Sequence, residues 1–183
     1  MKNRAMALII TLISGLGIGV YNYTGSDVIL ESGDKVETRD LPRHINKKYK
    51  ERTLDKPLYI TFHHTAGSKK QSVESIAQDQ VKRGFATFAY HFAIYEDGTI
   101  YAVNDLEEIS WHDSGQNTNS IGIVFVGNYE TSVLSQKAYN SAVLLSDILC
   151  KELKIQGIRG HRDTSPTLCP GNNAYSQLQL IFY

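Results

Sequence analysis

The sequence predicts an α/β domain, a central mixed β-sheet flanked by helices, within a chain of 183 residues. Three observations carry that prediction. Stretches with helical apolar spacing alternate with short runs rich in β-branched and aromatic residues. One pair of runs, "AYHFAIYEDGTIYAV", is joined through Asp97-Gly98, the chemistry of a tight hairpin turn. A third run, "SIGIVFVGNY", is almost wholly apolar and therefore central in its sheet.

Taken in order, the chain begins with Lys2 and Arg4, then an uncharged run from Ala5 to Val20 that ends at Tyr21-Asn22-Tyr23-Thr24. A positive segment followed by an apolar one is the layout of an export signal. The run is short of the about 20 residues of a bilayer span, although Tyr21 and Tyr23 are suited to an interface. Gly17 and Gly19 offer a poor cleavage site, and no cysteine follows to accept a lipid. Residues 1–24 thus read as a cleaved signal or as an uncleaved membrane anchor, with a buried core helix the weaker reading. Either main reading exports the rest of the chain, because the positive flank stays on the cytoplasmic side.

Residues 25–57 are polar and charge-rich, include "RHINKKYKERTLDKP", and read as a solvated linker. From Leu58 the texture changes to that of a folded domain, 58–183. "LYITFHH" is a buried strand. "SVESIAQDQVKRG" is a helix that Ser72 can cap, with Val73, Ile76, Ala77 and Val81 on one face and Gly84 at its end. After the hairpin and the central strand come a long helix from about Gln136 to Leu153, a short strand "IQGIRG", and a last helix near Ala174 to Ile181.

Composition bounds the partners. The 19 basic and 19 acidic residues cancel, and no groove-reading motif accompanies the basic cluster in the linker, so nucleic acid is not an expected partner. A monomer is expected. Only two cysteines occur. Cys150 lies at helical spacing with Ala142, Leu145, Leu149 and Leu153 and reads as a small apolar residue, whereas Cys169 lies in the polar loop "GHRDTSPTLCPG". Those contexts disfavour a disulfide.

The chemistry-bearing residues gather at strand ends and in that loop. His63 and His64 close the first strand of the domain, and strand alternation lets only one of them face a common centre. A catalytic zinc site wants three protein ligands and an open position. One strand-end histidine with His161 and Cys169 would supply that set, and Pro166 and Pro170 would restrict the loop that carries the thiol. Taken alone, His161 and Cys169 are a weak pattern, and a surface histidine beside an unremarkable cysteine is the plainer alternative.

Four motifs, "FHHTAG", "FAYHFAIYEDGTIY", "SWHDSGQNTNSIGIVFVGNY" and "GHRDTSPTLCPG", in this order and at these separations, resemble the zinc-dependent N-acetylmuramoyl-L-alanine amidases, a family that includes peptidoglycan recognition proteins and small phage lysozyme-type amidases. The likeness runs from about Leu58 to Ile181. It implies a central mixed sheet flanked by helices, a peptidoglycan substrate cut between N-acetylmuramic acid and L-alanine, and a Zn2+ cofactor held by His63, His161 and Cys169. It further implies that Tyr90 is the catalytic tyrosine and that His91, on the opposite face, is a packed core residue. His64 would point away from the metal with a structural role, and stands with His112 and Trp111 among the candidate contacts to glycan or stem peptide. Thr167 occupies a position that carries threonine in recognition-type amidases and lysine in lysozyme-type members, and would donate one hydrogen bond to an oxyanion.

One departure from the family bears on mechanism. Cytoplasmic recycling relatives carry a glutamate base in the strand after Ser-Ile-Gly-Ile, where this chain has Val124-Phe125-Val126. Activation of water would then rest on zinc, with Tyr90 and Thr167 assisting. The intact Cys169 argues for catalysis, since noncatalytic recognition relatives typically lack it. The expected function is therefore cell-wall lysis or remodelling by an exported hydrolase, of the endolysin kind or membrane-anchored through an uncleaved N-terminus, with a noncatalytic peptidoglycan-binding module as the alternative.

Overall fold

The computed structural model describes residues 20–24, 27–30, 35–56 and 58–182; of residues 1–24, read as a signal or anchor, 1–19 lie outside them, whereas Val20–Thr24 form a strand paired with Asp27–Leu30. Among the described residues no helix is long and apolar enough to cross a membrane.

The strands are β1 (Val20–Thr24), β2 (Asp27–Leu30), β3 (Lys35–Thr38), β4 (Leu58–His64), β5 (Phe92–Ile94), β6 (Ile100–Ala102), β7 (Ser120–Phe125) and β8 (Ile155–Gly160). They form one sheet in the order β1-β2-β3-β6-β5-β7-β4-β8. Neighbours β3 and β6, β5 and β7, β7 and β4, and β4 and β8 run parallel, while β1 to β3 and the β5-β6 hairpin are antiparallel. The sheet is mixed, as the alternating pattern predicts. At the hairpin, Gly98 has φ +91°, a conformation that side chains resist and glycine adopts freely.

Side-chain alternation sorts the sheet into two faces. Ile60 and Phe62 of β4, Phe92 and Ile94 of β5, and Ile121, Ile123 and Phe125 of β7 build one core with Ala138, Ala142, Leu145 and Leu149 of α2 (Gln136–Glu152) and Ala174 and Leu178 of α3 (Asn172–Leu178). Cys150 packs against this cluster, and no disulfide joins it to Cys169. The opposite face carries Ala93 and Val124, covered by Val73, Ile76 and Ala77 of α1 (Val73–Lys82). The Ser72 hydroxyl caps α1 by accepting the Ser75 N–H at 3.2 Å. This second face, which carries His63, is where the site lies.

The described residues of the stretch 25–57 are more than the solvated linker its composition predicts. Beyond β2 and β3, the segment that follows straps across the domain through Leu41 and Tyr49, both buried, and through main-chain bonds from Ile109 N–H to Lys50 and from Arg52 N–H to Glu107. Arg52 donates to the carbonyls of Leu106, Asn117 and Ser120 at 2.9, 2.9 and 2.7 Å. Polar composition conceals this packing because a few widely spaced anchors and main-chain bonds hold the strap, and neither leaves a periodic trace.

Candidate metal centre

Parallel pairing of β4 with β8 sets Phe62 opposite Gly160, so the next residue on each strand, His63 and His161, emerges at the same edge with rings 4.6 Å apart. The chain then turns through a short 3-10 segment (His161–Asp163) and a loop that returns Cys169 beside His63. Local bonds hold this loop closed. Arg162 N–H donates to the Cys169 carbonyl at 2.9 Å, and the Arg162 guanidinium reaches the Leu168 carbonyl and Asn172. Asp163 accepts from Gly160 N–H at 2.7 Å and from the Tyr175 hydroxyl at 2.6 Å. At the far end, Gly171 has φ +94°, and a Cβ there would lie 2.3 Å from the Tyr129 backbone, so only glycine fits.

The resulting cluster is His63, His161 and Cys169, with one ligand atom from each lying within 4.8 Å of the others. The Cys169 Sγ to His63 Nδ1 separation is 3.6 Å. Zinc bonds of about 2.3 Å to sulfur and about 2.0 Å to nitrogen, opened to a tetrahedral angle, place the two ligands about 3.5 Å apart. Donor chemistry and spacing both fit a zinc ion held by three protein ligands.

Hydrogen bonding fixes the tautomer that this requires. His112 Nε2 faces the Ser120 carbonyl at 3.4 Å, and a carbonyl can only accept, so Nε2 carries the proton and Nδ1 is a lone pair. His63 Nε2 lies 3.0 Å from that Nδ1 and donates to it. His63 Nδ1 is therefore unprotonated and aimed at Cys169. Both rings stay neutral: burial pulls His63 well below the ordinary imidazole range and His112 down to about 3. The Cys169 thiol is pushed up to about 11 by burial, against the His64 N–H that donates to Sγ at 3.3 Å. A cation at the cluster would reverse that shift, because thiolate is the form that binds metal.

His112 lies elsewhere than expected, while His64 and His91 lie on the faces the sequence assigns them. His112, expected to touch substrate, is only 7% exposed and backs His63. Room for its ring exists because residue 122 is glycine: a Cβ there would come within 2.6 Å of the imidazole. His64, grouped with the substrate contacts, lies on the other face of β4, as strand alternation predicts, and its Nδ1 accepts the Tyr129 N–H at 3.2 Å. Trp111 is 40% exposed and packs edge-on against Tyr49, with ring centroids 5.4 Å apart, so its outer face is free to meet a ligand. Thr167 is exposed, and its hydroxyl accepts the Cys169 N–H at 3.2 Å. His91 is fully buried, with Nδ1 accepting from Gly122 N–H and Nε2 donating to the Glu108 carbonyl, which is the packed role predicted for it.

Tyr90 sits beside the cluster, its ring 5.0 Å from that of His63, and it lines a cavity of about 190 Å³ with Thr65, Gln71, Ile76, Asp79, Gln80 and Arg83. Burial raises its phenol above the ordinary range, so the hydroxyl stays protonated at neutral pH. Asn104 pins this segment by donating to the carbonyls of Phe88 and Tyr90, both at 2.6 Å, and Gln80 accepts the Ala89 N–H. Asn104, Gln80 and Asp113, whose side chain is wholly buried near His161, carried no sequence signal, since single polar residues acquire such roles only through tertiary contacts. The residue beside His63 on β7 is Val124, so no carboxylate faces the metal position from this strand.

Comparison with known proteins agrees with this geometry. The family pattern described as N-acetylmuramoyl-L-alanine amidase matches residues 53–172. Peptidoglycan-recognition protein SC2 of Drosophila melanogaster is 31% identical over 134 residues, covering 66% of this chain and 72% of that protein. The endolysin of Enterobacteria phage T3 is 30% identical over 128 residues, 67% of this chain and 85% of the endolysin. Among solved structures, the N-acetylmuramoyl-L-alanine amidase LysC from Clostridium intestinale URNW superposes with a TM-score of 0.63 at 28% identity, covering 74% of this chain and 91% of that one. With the motifs, the fold and the sequence match in accord, the chain belongs to the N-acetylmuramoyl-L-alanine amidase family.

Proposed function

We propose that this protein is an exported, zinc-dependent amidase that hydrolyses the bond between N-acetylmuramic acid and L-alanine of peptidoglycan. The observation that carries the reading is the complete donor set, His63, His161 and Cys169, at zinc-like spacing beside a protonated Tyr90 that opens onto a cavity. When bound, zinc supplies a Lewis acid and an activated water at neutral pH. His63 Nδ1, His161 and the Cys169 thiolate are the residues that hold it. The Tyr90 hydroxyl, kept protonated by burial, donates to the oxyanion that develops on the scissile carbonyl. The exposed Thr167 hydroxyl, which accepts the Cys169 N–H, would donate a second such bond. Trp111 supplies an exposed aromatic surface for glycan or stem peptide. In a family whose named members include both recognition proteins and lysins, an intact set of three ligands favours the hydrolase. Export rests on the positive-then-apolar layout of residues 1–24 and on a substrate that lies outside the cytoplasm.

Release of stem peptides from purified cell walls tests the activity. Cleavage should require added zinc after chelation and vanish in His161→Ala and Cys169→Ser. Wall binding without cleavage at saturating zinc would instead identify a recognition module, and cleavage retained in both variants would remove the metal from the mechanism.

A further inference from the structure

The carboxylate of Asp113 has no solvent exposure, yet its two oxygens are treated unequally. Oδ2 accepts the Thr164 hydroxyl at 2.9 Å and lies 3.8 Å from the Arg159 guanidinium. Oδ1 is buried without a hydrogen-bond partner, and the group nearest to it in charge terms is His161 Nε2 at 3.7 Å. A buried carboxylate oxygen left unpaired is costly, and such an atom persists where a donor completes it in the working state. Thr164 itself is held by the loop, since its hydroxyl also contacts the His161 carbonyl and its N–H donates to the same atom. The carboxylate is therefore anchored from behind and presents one free oxygen to the imidazole.

We propose that Asp113 is a positioning residue for the metal centre: its Oδ1 accepts the Nε2 proton of His161, fixing the ring so that Nδ1 is the atom offered to zinc. This rests on the zinc reading given above. His63 and His161 then share one arrangement, each with its outward nitrogen committed to an acceptor, His112 Nδ1 for one and Asp113 Oδ1 for the other. The two acceptors differ in kind. A neutral imidazole only orients its partner, whereas a carboxylate also raises the basicity of the ligand it holds.

The test is zinc affinity of the full-length chain, measured by competition with a chromophoric chelator, beside the thermal midpoint of the metal-free protein. Asp113→Asn keeps the shape of the side chain and removes its charge. It should weaken zinc binding about 10–100-fold. The metal-free midpoint should hold, because the amide oxygen of asparagine still accepts the Thr164 hydroxyl. Affinity within about threefold of the parent, or a loss of affinity matched by a loss of metal-free stability, overturns the proposal. Should Asp113→Asn not fold, Thr164→Val, which releases Oδ2, carries the decision: weaker zinc binding is expected, and unchanged affinity refutes the role. A parent protein that binds no zinc would sink the metal reading itself, while a parent that binds and a variant that binds equally would sink this inference alone.

Discussion

His63 Nε2 donates to His112 Nδ1 across 3.0 Å, and that bond turns the Nδ1 lone pair of His63 toward the Cys169 sulfur. Removing the acceptor while keeping an aromatic ring, as in His112→Phe, should weaken zinc binding about 10–100-fold without displacing β4. Equilibrium dialysis with zinc reads the effect. Unaltered affinity would show that packing alone orients His63.

Tyr90→Phe removes the phenolic donor and leaves the ring against His63 and Phe88. The expected result is a fall in kcat on muropeptides of about 10²–10³, the usual weight of one oxyanion donor, with zinc affinity unchanged. A variant with full kcat would exclude Tyr90 from the chemistry. One with lower zinc affinity would place it among the groups that shape the metal centre.

Arg52 lies in the strap and is held by carbonyls of two separate loops. Burial pulls its guanidinium down to about 10, so it remains a cation at neutral pH, and its charge is met by those carbonyl dipoles. Arg52→Met strands several acceptors and should cost about 3 kcal/mol in urea unfolding. Since Asn117 and Ser120 border the loop that carries His112 and Asp113, zinc affinity should drop as well. A loss below about 0.5 kcal/mol would mean that the strap is dispensable.

The metal-free protein should lose stability in mild acid. His63, His91 and His112 are buried and neutral, and burial lowers all three below the imidazole range, His112 to about 3. Unfolded, each titrates near about 6.5. Below that pH the unfolded chain takes up protons that the folded chain refuses, so this contribution is whole above 6.5 and drains as pH falls. The slope approaches about 1.4 kcal/mol per pH unit for each histidine. Urea midpoints taken between about pH 7.5 and 5.5 should fall accordingly. A flat profile would show that these rings accept protons in the folded state.

Much of the architecture is legible in the chain because it rests on local rules. Alternation in "LYITFHH" separates His63 from His64 without knowledge of the sheet, and Asp97-Gly98 announces its hairpin. Helical spacing gives α1 and α2 nearly to the residue. The candidate metal cluster was legible for another reason: the motifs that carry its residues resemble those of a known family, and the fold brings ligand atoms of His63, His161 and Cys169 within 4.8 Å of one another.

What the tertiary structure decided is how polar side chains are spent once buried. The sequence marks His112 as a residue near the site, but only the packing over Gly122 turns its ring inward to serve His63. Nothing local distinguishes Asp113 from a surface aspartate, or Arg52 from the other cations of its charged stretch, until the fold removes water from one and surrounds the other with carbonyls. Periodicity reports which residues leave water as a group. The partner a single buried polar atom finds is set by distance in three dimensions, and the hydrogen bond it must make there is what converts a composition into a site.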